Sequence, residues 1–362
     1  MRTSLKLVAV LALAIASVSA PLAERLGVPS TGPTLSSIGP LAFGPDGILY
    51  AADRQAATIF ALDLGAQATG GAPGTKGVAG VDQQIAALLG TAAAEIAITD
   101  LVVHPTTKNS FVAVMRGQGT AAQPALLRID GAGKITMVNL EPVKFTSVAL
   151  PNPAAVSTSG RGGRSQSITD MAYVNGRIYV AGLSNEEFAS KLWSVAYPFA
   201  ATDRGASVET FHGNHGRLET NAPVMSFVAY TIANEPHIVA GYTCTPLVKF
   251  PVSALKPGEK VLGTTMAELG AGNQPIDMVI YKKDGQDFLL LANTRHGVMK
   301  IPTSSFATAQ PIMARVGGTA GTFERIASMT GVEQLDLLDA QRSIVIARGA
   351  DGARNLTAIV LP

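Results

Sequence analysis

Residues 37–53 read SIGPLAFGPDGILYAAD, and residues 167–182 repeat the plan almost letter for letter as SITDMAYVNGRIYVAG. Each copy sets an apolar run, a tight turn and a second apolar run. Asp46-Gly47 and Asn175-Gly176 supply the positive φ angles that hairpin turns of this length require. Four looser copies start at Ile98, Ala222, Pro275 and Glu333, and a third apolar run follows each pair, as in TIFALD from Thr58 or KLWSVA from Lys191. A unit of this size cannot bury its own apolar faces and must stack on its neighbours. Six of them in succession predict an all-β fold, a six-bladed β-propeller with four-stranded antiparallel blades.

Working outward from these runs, fourth strands are expected at residues 134–140 (KITMVNL), 206–212 (ASVETFH), 259–265 (EKVLGTT) and 311–316 (PIMARV). The sixth repeat reaches Pro362 at its third strand. A propeller must close its ring, so residues 22–36 are expected to supply the missing outer strand. Residues 69–97 form an insertion whose second half, VDQQIAALLGTAAAEI, has helix-forming composition. Residues 151–166, rich in Ser, Gly and Ala, are too few for a blade and read as a loop.

The first residues carry a different message. Arg2 and Lys6 precede an apolar run over residues 7–18, and Val18-Ser19-Ala20 offers the small side chains that a signal peptidase reads. Residues 1–20 are therefore expected to be a secretory signal peptide, despite the unfavourable Pro21 after the cut. Residues 21–362 are then a single propeller domain in the periplasm or secreted medium. The apolar run is too short to span a bilayer.

The full chain has 28 Lys and Arg against 26 Asp and Glu, and the leader holds two of the basic residues. The mature chain is thus nearly neutral, with no basic cluster, which argues against a nucleic-acid partner. One cysteine, Cys244, cannot form a disulfide within one chain. A monomer that meets a small polar molecule or a periplasmic protein is the expected state. The Gly-x-Ser-x-Gly and His-Glu-x-x-His signatures are both missing.

Chemistry is expected at the mouth where inner strands begin. Asp100, Asp170, Asp277 and Asp336 occupy four of the six equivalent starting positions, with Ser226 and Pro40 in the others. Carboxylates converging on a narrow channel repel one another and call for a hard cation, a shared proton, or backbone N–H donors from the neighbouring blade. Arginines recur after the second strands, at Arg54, Arg116, Arg295 and Arg348. They can pair with acids or bind an anion as planar donors. Asn273 and Cys244 join them as candidate ligand-binding residues. Cys244 could also act as a nucleophile or copper ligand, although a small buried hydrophobe is its commonest role.

Connecting loops add Arg161 and Arg164 in SGRGGRS, and His212, His215 and Arg217 in FHGNHGR. The His-x-x-His spacing can contribute to zinc or copper binding, but no third ligand is defined by the motif.

GPLAFGPDGILYAADRQAATIFALD from Gly39 resembles an NHL-type repeat unit. By this likeness the chain resembles the group of six-bladed propellers that includes the NHL repeats and the calcium-dependent gluconolactonase-like enzymes. Motif agreement is confined to the first and third repeats. The resemblance implies that Asp100, Asp170, Asp277 and Asp336 fall where calcium ligands would sit. Those enzymes also use Glu and Asn there, and none of the six slots carries either. The expected function is binding of a small polar ligand or a protein partner at the central mouth. A calcium-dependent lactone or ester hydrolase is the alternative, and an accessory role in periplasmic redox or copper chemistry the second alternative.

Overall fold

The computed structural model describes residues 32–156, 163–244 and 246–362. The chain forms six antiparallel sheets arranged as a ring, the six-bladed propeller that the repeats predict. Inner strands are Leu41–Phe43, Ile96–Val103, Asp170–Val174, Val224–Ile232, Pro275–Lys283 and Val332–Leu337, defining blades one to six in chain order. Second strands such as Leu49–Asp53 and Arg177–Leu183 are buried almost throughout. Their neighbours on both sides of the ring cover them, which is why they read as unbroken apolar runs.

Chain order and ring order differ. The inner strand of blade one lies beside those of blades two and three, and blade two lies beside blade six. The ring therefore runs two, one, three, four, five, six. Six apolar clusters fill the six seams: Phe60 and Phe111 meet between blades one and two, Tyr50 and Trp193 between one and three, and Val112 and Ile346 between two and six. Burying each such side chain contributes about 1.5–3 kcal/mol relative to exposure.

The crossover has a visible cause. Blade one receives its outer strand from Lys144–Ala149, which pairs antiparallel with Thr58–Asp63 after the chain has already built blade two. Blade two is completed by Ile135–Met137, within the stretch expected to do so. The expected outer strand of blade three is observed as Ala206–His212.

Other outer edges depart from expectation. Residues 259–265 divide between two sheets: Lys260–Leu262 pairs in parallel with blade three, and Thr264–Leu269 forms the outer strand of blade four. Gly263 makes the change possible, since a Cβ there would lie 2.4 Å from Val248 Cγ1. Residues 311–316 form no strand, and Glu324–Arg325 pairs at the edge of blade five instead.

Among the described residues, the insertion meets the outer edge of blade six. Val78 N–H donates to the Leu356 carbonyl at 2.9 Å, and Leu356 N–H donates to the Val78 carbonyl at 2.9 Å. The following helix, Val81–Leu88, buries Val81 and Ile85 against blades two and six. Residues 22–31 lie outside the described residues, as do the signal-peptide positions and Arg161. Residues 32–36 form no strand, and Ser36 N–H donates to Asp53 instead.

Candidate functional site

The inner-strand aspartates line a central cavity of about 470 Å³, together with residues such as Met171, Phe227 and Leu335. Each carboxylate reaches one blade onward around the ring. Asp100 accepts from Leu41 N–H, Asp336 from Val103 N–H, Asp170 from Phe227 N–H and Asp277 from Leu335 N–H. Asp100, Asp170 and Asp336 also accept from the N–H of the residue that follows them. Both their oxygens are thus engaged, one across to the next blade and one within the aspartate's own strand. Asp277 keeps Oδ1 without a hydrogen bond among the described residues.

These acids sit deep in the protein while still bordering the channel. Burial raises the Asp170 carboxyl to about 7 against the opposing effect of its backbone donors. Burial likewise raises Asp336 to about 6. Asp100 and Asp277 are pushed well above the ordinary carboxylate range by burial and by their neighbours' charges. Four carboxylates around one axis therefore hold protons that isolated acids would have lost. In donor chemistry the ring suits calcium, a hard ion that takes oxygen ligands. Most of the oxygens already carry a backbone bond.

Arg54 is half-buried beside this ring. Burial lowers its pKa and the charge of Asp100 works against that. Arg116 is exposed at the end of its strand.

Arg295 and Arg348 come together. They line a second cavity of about 700 Å³ between blades five and six, with His296, Arg325 and Glu333. Arg348 is paired with Glu333 at 2.6 Å, and Arg354 holds the other oxygen of Glu333 at 2.6 Å. Arg295 and Arg325 form no ion pair among the described residues. His296 Nε2 is buried without a hydrogen-bond partner among the described residues.

Behind this cleft Asn273 is buried and braces the loop that carries Arg295. Its Nδ2–H donates to Asn293 Oδ1 at 2.8 Å, and its Oδ1 accepts from Arg295 N–H at 3.0 Å. Cys244, half-buried with φ of 65°, donates its N–H to the Asn273 carbonyl at 2.9 Å. Asn273 and Cys244 thus stand behind the arginine loop rather than among the cleft-lining residues.

His212 and His215 converge with Glu219, their ligand atoms all within 4.8 Å of one another, and Cys244 is not part of this group. Glu219, four residues after His215, was not legible as a third donor because only the tight turn at residues 213–216 folds it back against His212. Arg325 and His296 were missed for a related reason. Arg325 lies in a two-residue strand without periodicity, and His296 follows Arg295 with no motif of its own.

No family model matches the sequence, and no curated protein matches it. Solved structures of similar arrangement include the PQQ-bound form of an aldose sugar dehydrogenase from Streptomyces coelicolor. It is 11% identical, with 92% of this chain and 96% of that chain covered and a TM-score of 0.36. A putative oxidoreductase (glucose dehydrogenase) from Thermus thermophilus is 14% identical, covers 92% and 100%, and scores 0.34. The plexin A4 extracellular region is 8% identical, covers 92% and 40%, and scores 0.42. At such identities and scores the likeness transfers no residue and no ligand.

Proposed function

We propose that this chain is an exported propeller that binds a small anionic ligand in the cleft between blades five and six. The observation that carries the reading is the pairing state of the cleft: Arg295 and Arg325 have no carboxylate partner among the described residues, and His296 Nε2 has no hydrogen-bond partner. Arg295 and Arg325 are exposed side chains that can turn toward an anion, while the buried His296 Nε2 is the kind of polar group that is normally satisfied, and a ligand entering the cleft would meet all three. Planar guanidinium groups suit carboxylate or phosphate oxygens. Export rests on Arg2, Lys6 and the apolar run that follows them.

The channel acids are read as latches between blades, which leaves the cleft as the recognition surface. A tricarboxylate such as PQQ does not fit a channel ringed by acids. The calcium-dependent hydrolase is the second reading, favoured by the uncommitted Oδ1 of Asp277 and by the oxygen donors around it.

Thermal-shift titration with citrate, inorganic phosphate and calcium chloride separates these readings. Citrate or phosphate is expected to raise the melting temperature, and Arg295→Ala with Arg325→Ala is expected to abolish the rise. No shift with any anion would sink the cleft reading. A calcium-dependent shift lost in Asp277→Asn would favour the channel instead.

A further inference from the structure

The outer edge of blade three carries a feature that the ligand cleft does not use. His212 ends the strand Ala206–His212, residues 213–216 turn sharply, and Arg217–Glu219 runs back beside it. The turn is tied by Gly216 N–H donating to the His212 carbonyl at 2.7 Å. Because Thr210 faces Glu219 across the hairpin, the Glu219 carboxylate rises between both imidazoles. A carboxylate only accepts, so His212 Nδ1–H donates to Oε2 at 2.9 Å and His215 Nδ1–H donates to Oε1 at 2.6 Å.

We propose that His212, His215 and Glu219 form a binding site for a divalent transition ion of the zinc class, with its remaining position open to solvent. Two imidazoles and one carboxylate are the donor types that zinc takes at about 2.0–2.2 Å. Tetrahedral donors around such an ion stand about 3.3 Å apart. The three side chains already lie within 4.8 Å, so a small opening of the trio admits the ion in place of the two Nδ1 protons.

A second observation points the same way. The His212 side chain is 1% exposed, and its Nε2 has no hydrogen-bond partner among the described residues. A buried ring nitrogen left unpaired is uncommon and asks for a reason. A ligating histidine shifts its proton to the second nitrogen and directs it toward a nearby carboxylate. The charge of Glu268, which is fully buried, acts on this same ring. Glu219 brings its negative charge directly to the ion's place between the two rings.

The hairpin is also held in place before any ion arrives. Glu268 accepts from Gly213 N–H and from Asn214 Nδ2–H, the latter at 2.8 Å. Asn214 and Gly318 exchange two hydrogen bonds at 3.2 Å, and Val316 N–H donates to the Gly213 carbonyl at 2.9 Å. Glu268 is thus a positioning residue for the turn. Access comes from the His215 side, which is 43% exposed, whereas Glu219 is 13% exposed. Arg217 donates to Glu219 Oε1 at 3.2 Å from a side chain that is 71% exposed, so it competes with an ion and can swing clear.

The test is zinc titration of the EDTA-stripped mature protein by calorimetry, with cobalt(II) as a spectroscopic probe. One zinc per chain is expected to bind saturably, and cobalt is expected to give tetrahedral visible bands. His215→Ala, at the exposed ligand, should fold normally and weaken zinc by at least about 100-fold, the upper end of what losing even a partner that only orients a ligand costs. Arg217→Ala should tighten binding by removing the competitor for Glu219. The proposal is overturned if the wild type shows no saturable zinc binding. It is equally overturned if His215→Ala and Glu219→Gln, both with native circular dichroism, bind zinc as the wild type does.

Discussion

Asp170 shows how one side chain can serve two blades. Its carboxylate accepts from Met171 N–H and Phe227 N–H at 2.7 Å each, so truncation strands two backbone donors at a seam. An unsatisfied donor of this kind costs about 1–3 kcal/mol. Asp170→Ala is therefore expected to lower stability by about 2–4 kcal/mol in urea denaturation. The same residue sets a pH dependence. Its folded pKa of about 7, and that of Asp336 at about 6, lie above the unfolded value of about 3.9. The native state then binds protons more tightly than the unfolded chain, so this contribution is full below pH about 4 and is lost as pH rises through about 6–7. Denaturant midpoints measured across this range should fall with rising pH, and more shallowly in Asp170→Asn. The repeat pattern alone placed Asp100, Asp170, Asp277 and Asp336 on the channel, because inner-strand starts are equivalent positions. Backbone N–H donors from a neighbouring blade were among the partners expected for them, but the particular donors, Leu41, Val103, Phe227 and Leu335, were not legible, since each lies on a strand whose place in the ring the sequence does not state.

At the scale of the element, the insertion between blades one and two is a structural member. Val78 lies at the open edge of blade six, exchanging two hydrogen bonds with Leu356, while Val81 and Ile85 fill the seam beneath. Val78→Pro removes one donor and leaves the Leu356 carbonyl unpaired. A loss of about 1–3 kcal/mol is expected. Hydrogen exchange should quicken in Arg354–Val360 and stay unchanged in Asp170–Val174, and equal change in both would contradict this role. The helix itself was legible from its composition, but its docking partner was not. A strand's or helix's own residues record how much of it is buried, whereas the edge it meets depends on a loop's path. The same limit hid the division of residues 259–265, where a single glycine lets one apolar stretch serve two sheets.

For the molecule as a whole, each blade is cemented to both neighbours by an apolar seam and, at four of the seams, by an aspartate latch. Closed stacking of this kind makes partial unfolding costly. Trp193 fluorescence, reporting blade three, and far-ultraviolet circular dichroism, reporting all blades, are expected to give coincident urea transitions. Two separated transitions would show that the ring melts in sections. Six repeats in sequence made the blade count readable. They did not reveal that blades one and two exchange places, since neighbouring repeats ordinarily become neighbouring blades and nothing in KFTSVA names its partner. That exchange bears on biogenesis. As the chain emerges N-terminus first, Thr58–Asp63 presents an unpaired sheet edge throughout the synthesis of blade two, until Lys144–Ala149 arrives to cover it. The first two blades must mature together, and a nascent chain stalled between them would offer that bare edge to any passing strand.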